Sequence, residues 1–150
     1  MDWIVRSFLK ASLAWLALGV TLGVAMAVHP AWTVYRPAHE HMNLLGFVSM
    51  MIFGVAYHVI PRFTGNPLWR RGLAVFHWWL ANAGLALMVT GFVLRVQSSF
   101  PSVVGGAFLA FGGSLSAVGA YAFACNLWRT IGRAPVIDLG RSAARVIRSA

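Results

Sequence analysis

Long stretches of apolar residues, separated by short polar connections, make up most of this chain. Four of them have about the length, roughly 20 apolar residues, that an α-helix needs to cross the hydrocarbon core of a membrane. They cover about residues 11–28, 41–60, 73–94 and 103–127. Because little sequence lies outside them, the pattern predicts an all-α membrane protein with a single domain, residues 1–150, of four transmembrane helices.

Glycines recur at regular spacing within three of these four stretches. The glycines of the first stretch are Gly19 and Gly23, those of the third are Gly84 and Gly91, and those of the fourth are Gly105, Gly112 and Gly119. Lipid gives helices no hydrophobic reason to associate, so close backbone approach through small residues stabilises their packing. We expect these glycines to mark packing surfaces, although glycine is also simply frequent in membrane helices. Pro61 is expected to end the second helix, because proline lacks the N–H that the helix requires.

The charged residues confirm the membrane class and indicate an orientation. Only 10% of residues are charged, and the net charge is +9. Ten of the twelve basic residues fall before the first stretch, between the second and third, or after the fourth; the other two are Arg36 and Arg95. Since cytoplasmic loops carry the excess of Lys and Arg, both termini are predicted to lie in the cytoplasm of a bacterial-type inner membrane. The basic residues indicate topology rather than nucleic-acid binding. The tail, residues 129–150, is predicted to form a basic amphipathic helix on anionic lipid.

Five histidines stand out in so apolar a chain, and their depth divides them into two groups. His29, His39 and His41 fall where the first helix ends and the second begins, on the predicted outer side. His58 and His77 fall on the predicted inner side. His41 and His58 are 17 positions apart, roughly 25 Å along a helix, so they cannot share one metal.

The outer group is the stronger candidate for a ligand site. His39 and His41 differ by two positions, so at about 100° per residue they point to nearly opposite faces of one helix. Such a helix can offer one imidazole to each of two neighbouring compartments. A neutral imidazole is a good axial ligand for haem iron. The alternative for each ring is a hydrogen bond to a lipid headgroup or a carbonyl.

The other histidines and Glu40 each have more than one possible role. His29 is either a third outer ligand or a cap at the end of the first helix. His58 and His77 either form a second, inner site or are interfacial residues. Glu40 lies where a loop becomes a helix, and a carboxylate there is expected to cap free backbone N–H groups.

From His41 onward the sequence is HMNLLGFVSMMIFGVAYHVIPRF. It resembles the second transmembrane helix of the catalytic subunit of haem-copper oxidases and nitric oxide reductases. In that helix a His-x-Asn-like start is followed by a long apolar run that ends in an aromatic pair and often a proline. The family's histidine in this helix ligates the low-spin haem and corresponds to His41, while Asn43, Tyr57 and Pro61 match the surrounding pattern.

This resemblance implies a fold, a cofactor and an assembly. The fold is one four-helix arc of subunit I, the cofactor is a b-type haem held by His41 with His39 or His29, and Arg36 would pair with a haem propionate. The family's copper-ligating helices have no counterpart here, so no copper site is expected. Its twelve helices form three arcs of four, which implies a homotrimer in which His41 of one protomer and His39 of the next hold the haem. A homodimer using His41 and His29 is the alternative.

The function expected from these observations is electron transfer, or binding of oxygen or nitric oxide, by a haem-binding membrane protein. A complete terminal oxidase or nitric oxide reductase is not expected, and a quinol or a cytochrome would be the redox partner. One alternative is a haem-free structural or assembly subunit of a respiratory complex. Another is a small transporter or channel in which histidines relay protons or metal, although none of the four stretches contains the Asp or Glu that usually marks such pathways.

Overall fold

The computed structural model describes residues 2–97, 99 and 101–133. Four helices in this part of the chain are long and apolar enough to cross a membrane, which confirms the predicted all-α membrane class. They are α1 (Trp3–Val28), a composite helix (Pro30–Thr64), α4 (Arg71–Val96) and α5 (Ser102–Ile131). From residue 134 onward, the predicted amphipathic tail lies outside the described residues.

The composite helix changes its winding three times along its length. It begins as a 3₁₀ segment (Pro30–Tyr35), continues as α2 (Arg36–His41), opens into a π-helical segment (Met42–Ser49) and ends as α3 (Met50–Thr64). The prediction that Pro61 ends this helix is wrong, because α3 passes through it to Thr64. Pro61 removes one N–H from the helix, and a membrane helix can tolerate such a loss. The helix ends instead at Gly65, whose φ of 67° suits glycine best.

Antiparallel packing of α4 on α5 is carried by the predicted glycine faces. A Cβ on Gly112 would come within 2.6 Å of the Gly84 carbonyl oxygen, and one on Gly91 within 2.9 Å of the Gly105 carbonyl oxygen. Backbone therefore lies directly on backbone at both levels. The interpretation of these glycines as a packing surface is confirmed.

The N-terminal half of the fold packs α1 against the composite helix. Here glycines receive side chains: Gly46 receives Trp15, and Gly54 receives Phe8. The fully buried side chains come from α1, α3, α4 and α5, and the largest of them are Phe8, Ile4, Met50, Leu85 and His77. Asp2, the N-cap of α1, joins this half to the next, because its carboxylate bonds Arg71 at 2.7 Å.

Candidate functional site

His39 and His41 lie in the last turn of α2, immediately before the π-helical segment begins at Met42. A π-helical turn changes the angular spacing of side chains, and such turns are often found at functional sites. Pro37 stands in the first turn of α2, where its missing N–H does no harm and its fixed φ favours the start of a helix. The local sequence thus presents the two imidazoles from a short, well-defined helical end.

The His39 ring is half-buried between α2 and α1. Its Nδ1 lies 2.8 Å from the Gly19 carbonyl oxygen, which can only accept a hydrogen bond, so Nδ1 carries the proton. A Cβ on Gly23 would come within 2.8 Å of the ring, so this glycine makes room for it. Asn43 donates to the His39 carbonyl at 2.9 Å and closes the other side. Gly23 therefore makes room for the His39 imidazole and Gly19 for the Asn43 amide, so the first glycine pair packs against side chains rather than against a second backbone.

The His41 ring lies on the other side of the helix, against α4. Its centroid is 4.8 Å from that of Phe92, and its Nδ1 lies 2.8 Å from the Pro37 carbonyl oxygen. The proton is again on Nδ1, which leaves the lone pair on Nε2. Within the described part of the chain, no hydrogen bond occupies His41 Nε2. An Nδ1–H bonded to a carbonyl is the arrangement that orients a histidine for ligation through Nε2, so His41 fits an axial haem ligand.

The other outer residues are engaged in local contacts. His29 is exposed at the end of α1, where its backbone N–H donates to the Ala25 carbonyl at 2.8 Å and its ring lies against Trp32. Arg36 Nε donates to the Glu40 carboxylate at 2.8 Å in an exposed pair. The prediction that Glu40 caps the helix start is therefore wrong, because Glu40 stands four residues into α2, one turn after Arg36.

The outer histidines do not meet around one point in this chain. Within residues 2–97, 99 and 101–133, no three His, Cys, Asp or Glu side chains form a group that could hold a metal ion. His39 contacts α1 while His41 contacts α4, as the two-position spacing predicts. Each imidazole is thus presented separately.

The inner histidines have separate partners. Arg62 lies 2.7 Å from His58 Nδ1, whereas His77 Nδ1 lies 3.0 Å from the Tyr57 hydroxyl. No hydrogen bond joins the two imidazoles in the part that the structure describes. His77 is fully buried among aromatic rings, and its Nε2 has no hydrogen-bond partner among the described residues. These rings belong to Phe8, Phe53, Tyr57 and Phe123.

The sequence analysis did not predict that Tyr57 and His77 form a pair, although a pattern in the sequence indicates the position of His77. His77, Gly84 and Gly91 are spaced by seven residues on α4. The ring of His77 lies over Gly119, whose Cβ would come within 3.3 Å of it, just as Gly84 lies over Gly112. His77 therefore continues the glycine face of α4, and that spacing would have placed it against α5. Tyr57 stands out in the sequence only because it matches the pattern of the family's second transmembrane helix, and no spacing places it beside His77.

The four membrane-spanning helices are those of a multi-pass membrane protein. The sequence matches the family model "Cytochrome C and Quinol oxidase polypeptide I" over residues 3–145. The chain belongs to this family. The resemblance noted in the segment from His41 is thereby confirmed at the level of the family.

Individual relatives agree with this assignment. The chain is 28% identical, over 163 aligned positions, to Cbb3-type cytochrome c oxidase subunit CcoN1 of Stutzerimonas stutzeri, covering 87% of this chain and 33% of the relative. It is 29% identical to cytochrome c oxidase subunit 1 of Rhodobacter capsulatus, covering 69% of this chain and 23% of the relative. A solved haem-copper terminal oxidase dimer has the same fold over 89% of this chain and 27% of its own, with a TM-score of 0.67 at 21% identity. The chain therefore spans a third or less of the length of these relatives.

Proposed function

We propose that this chain is a b-type haem-binding protein of a bacterial inner membrane, with both termini cytoplasmic, and that it transfers electrons or binds a diatomic gas. The observation that carries the proposal is the His41 imidazole, whose Nδ1–H is held by the Pro37 carbonyl and whose Nε2 is left with its lone pair. Membership of the cytochrome c and quinol oxidase polypeptide I family supports a haem as the ligand.

The chemistry of the cofactor is its own. A haem iron held by two imidazoles passes single electrons, and one with an open position binds a diatomic gas. The chain's residues would provide the binding. His41 would orient its Nε2 through the bond to Pro37, and Arg36, exposed at the same end of the bundle, would attract a propionate with the N–H groups that Glu40 does not use.

A second axial ligand would come from a second protomer. His39 lies against α1 and His41 against α4, so the two imidazoles do not meet within one chain and a haem held by both would need a second protomer. In the arrangement that we favour, three protomers close into a ring and His39 of one faces His41 of the next. A dimer using His41 and the exposed His29 is the other arrangement. A quinol or a cytochrome would exchange electrons at the membrane surface.

The decisive experiment is the reduced-minus-oxidised absorption spectrum of protein purified in detergent from haem-replete cells. The wild-type protein is expected to show a sharp α-band at the position of b-type haems. His41→Ala is expected to abolish this band, and His39→Ala is expected to abolish it if His39 is the second ligand. His58→Ala is the matched control, because His58 is also half-buried in the composite helix and also bonded to a residue four positions away.

Two further readings make the outcome unambiguous. Far-UV circular dichroism of each variant separates loss of haem from loss of fold. Native mass spectrometry reports the number of protomers and haems in each particle. A featureless wild-type spectrum, or an α-band that is unchanged in His41→Ala, would overturn the proposal. A haem-free structural or assembly subunit would then be the better hypothesis.

A further inference from the structure

The end of the bundle that carries the N-terminus also carries a group of arginines arranged around one indole. The guanidinium of Arg70 lies 5.0 Å from the centroid of a Trp69 ring, and that of Arg129 lies 5.4 Å from it. Arg133 borders the same place. We call Trp69, Arg70, Arg129 and Arg133 the arginine cradle. Two like charges beside one indole repel each other, and an anion between them would offset that repulsion.

Hydrogen bonds fix the backbone of the cradle. Asn126 bonds the Arg70 backbone twice, accepting from its N–H at 3.0 Å and donating to its carbonyl at 2.9 Å. The Trp69 N–H donates to the Thr130 hydroxyl at 3.0 Å. Asn66 donates to the Arg133 carbonyl at 3.0 Å. The three side chains that make these bonds are buried, so the backbone that carries the cradle is fixed before any ligand arrives, while its arginine side chains are exposed.

The sequence cannot neutralise these cations by itself. It contains three acidic residues. Asp2 is bound by Arg71 at 2.7 Å, and Glu40 is bound by Arg36 at 2.8 Å. Only Asp138, outside the described residues, remains for three arginines of the cradle. At least two positive charges therefore lack a carboxylate from this sequence.

The size and the lining residues of the recess beside the cradle indicate what kind of anion fits there. Beside the cradle, Trp69, Trp128, Arg129, Gly132 and Arg133 line a polar recess of about 480 Å³. Because a water molecule occupies about 30 Å³, the recess has room for a phosphate and the glycerol joined to it. Trp128 is 80% exposed at the rim, in the position where amphipathic indoles contact the headgroup region of a bilayer. A free inorganic anion would make no apolar contact with this exposed indole, whereas a lipid would.

We propose that the arginine cradle binds the phosphate of an anionic glycerophospholipid headgroup. Arg129 and Arg133 would donate charge-assisted hydrogen bonds to the phosphate oxygens, and Arg70, held on Trp69, would add its charge. This site does not depend on the proposed haem, which would lie at the opposite end of the bundle, near His39 and His41.

The test is native mass spectrometry of the detergent-purified protein titrated with phosphatidylglycerol or phosphatidylcholine. The wild-type protein is expected to prefer phosphatidylglycerol. The double variant Arg129→Gln/Arg133→Gln is expected to bind it about 30-fold more weakly, the loss expected when two cations near an anionic headgroup are removed. Arg6→Gln/Lys10→Gln, which removes two exposed cations from α1 near the same end, is expected to keep the wild-type affinity.

Each other outcome is informative. Equal losses in the two double variants would reduce the effect to net charge and overturn a specific site. Equal binding of the two lipids by the wild-type protein would overturn it as well. Displacement of phosphatidylglycerol by millimolar inorganic phosphate would overturn the lipid as the source while keeping the phosphate chemistry. Unchanged circular dichroism of both variants is required, and Trp69→Leu, which removes the indole without a charge, is expected to weaken phosphatidylglycerol binding too.

Discussion

Replacing Gly112 with alanine would force apart the tightest helix pair of the fold. A Cβ at this position meets two backbone atoms of α4, the Gly84 oxygen at 2.6 Å and the Met88 nitrogen at 2.8 Å. Neither atom can rotate away as a side chain would. Lengthening the first contact from 2.6 Å to the 3.4 Å at which ordinary van der Waals contact begins requires α4 and α5 to separate by about 0.8 Å at this level. Because the two helices would separate, the neighbouring backbone contact of Gly91 with Gly105 would be lost as well.

The size of the effect follows from two opposing terms. Inserting a methyl group into a well-packed interface costs about 1–3 kcal/mol. Glycine to alanine within a helix gains up to about 1 kcal/mol. Gly113→Ala is the matched control, because it makes the same change one residue along α5 where a Cβ meets nothing within 4 Å. Both variants share the helix gain, so the difference between their free energies of unfolding isolates the packing cost and is expected to be about 1–3 kcal/mol.

The measurement is reversible unfolding in mixed micelles with increasing dodecyl sulfate, followed by far-UV circular dichroism. Gly112→Ala is expected to unfold at a lower dodecyl sulfate fraction than wild type, and Gly113→Ala at the same or a higher one. Gly106→Ala, a second position of α5 with nothing within 4 Å of the added Cβ, should repeat the control result. Equal midpoints for Gly112→Ala and Gly113→Ala would refute the claim that direct backbone contact holds α4 to α5.

Two further predictions concern the buried Tyr57–His77 pair and the end of α3. Tyr57→Phe removes the hydroxyl that lies 3.0 Å from His77 Nδ1 and should cost about 0.6–1.7 kcal/mol in the same assay, whereas Tyr121→Phe, at a residue that is 75% exposed, should cost nothing measurable. Equal effects of the two changes would show that the bond to His77 does not stabilise the fold. Gly65→Ala should lower the free energy of unfolding by about 1–2 kcal/mol, because the φ of 67° at this position strains any residue with a Cβ. Gly72→Ala, at a position without such a φ, should not lower it. An unchanged free energy for Gly65→Ala would contradict the assigned end of the helix.

Reasoning from the pattern of the sequence succeeded where one helix, taken alone, contains the information. The membrane class followed from the apolar lengths, and the packing face of α5 followed from Gly105, Gly112 and Gly119, since a seven-residue spacing puts its members on one side of a helix. The same arithmetic separated His39 from His41. It failed where backbone geometry responds to neighbours, as at Pro61, which α3 passes through. It also failed for Glu40, whose carboxylate binds Arg36 instead of capping a helix.

What the sequence determined by itself is therefore the kind of protein and the residues that each helix carries: four spans, a basic end, and an opposite end that carries His29, His39 and His41. Only the tertiary structure decided which groups meet. It placed Gly23 beside His39, Tyr57 against His77, and two guanidiniums on Trp69. The physical reason is that hydropathy and periodicity are properties of one segment. A contact between segments depends on the relative axial position of two helices, which is set by the packing of all their side chains at once.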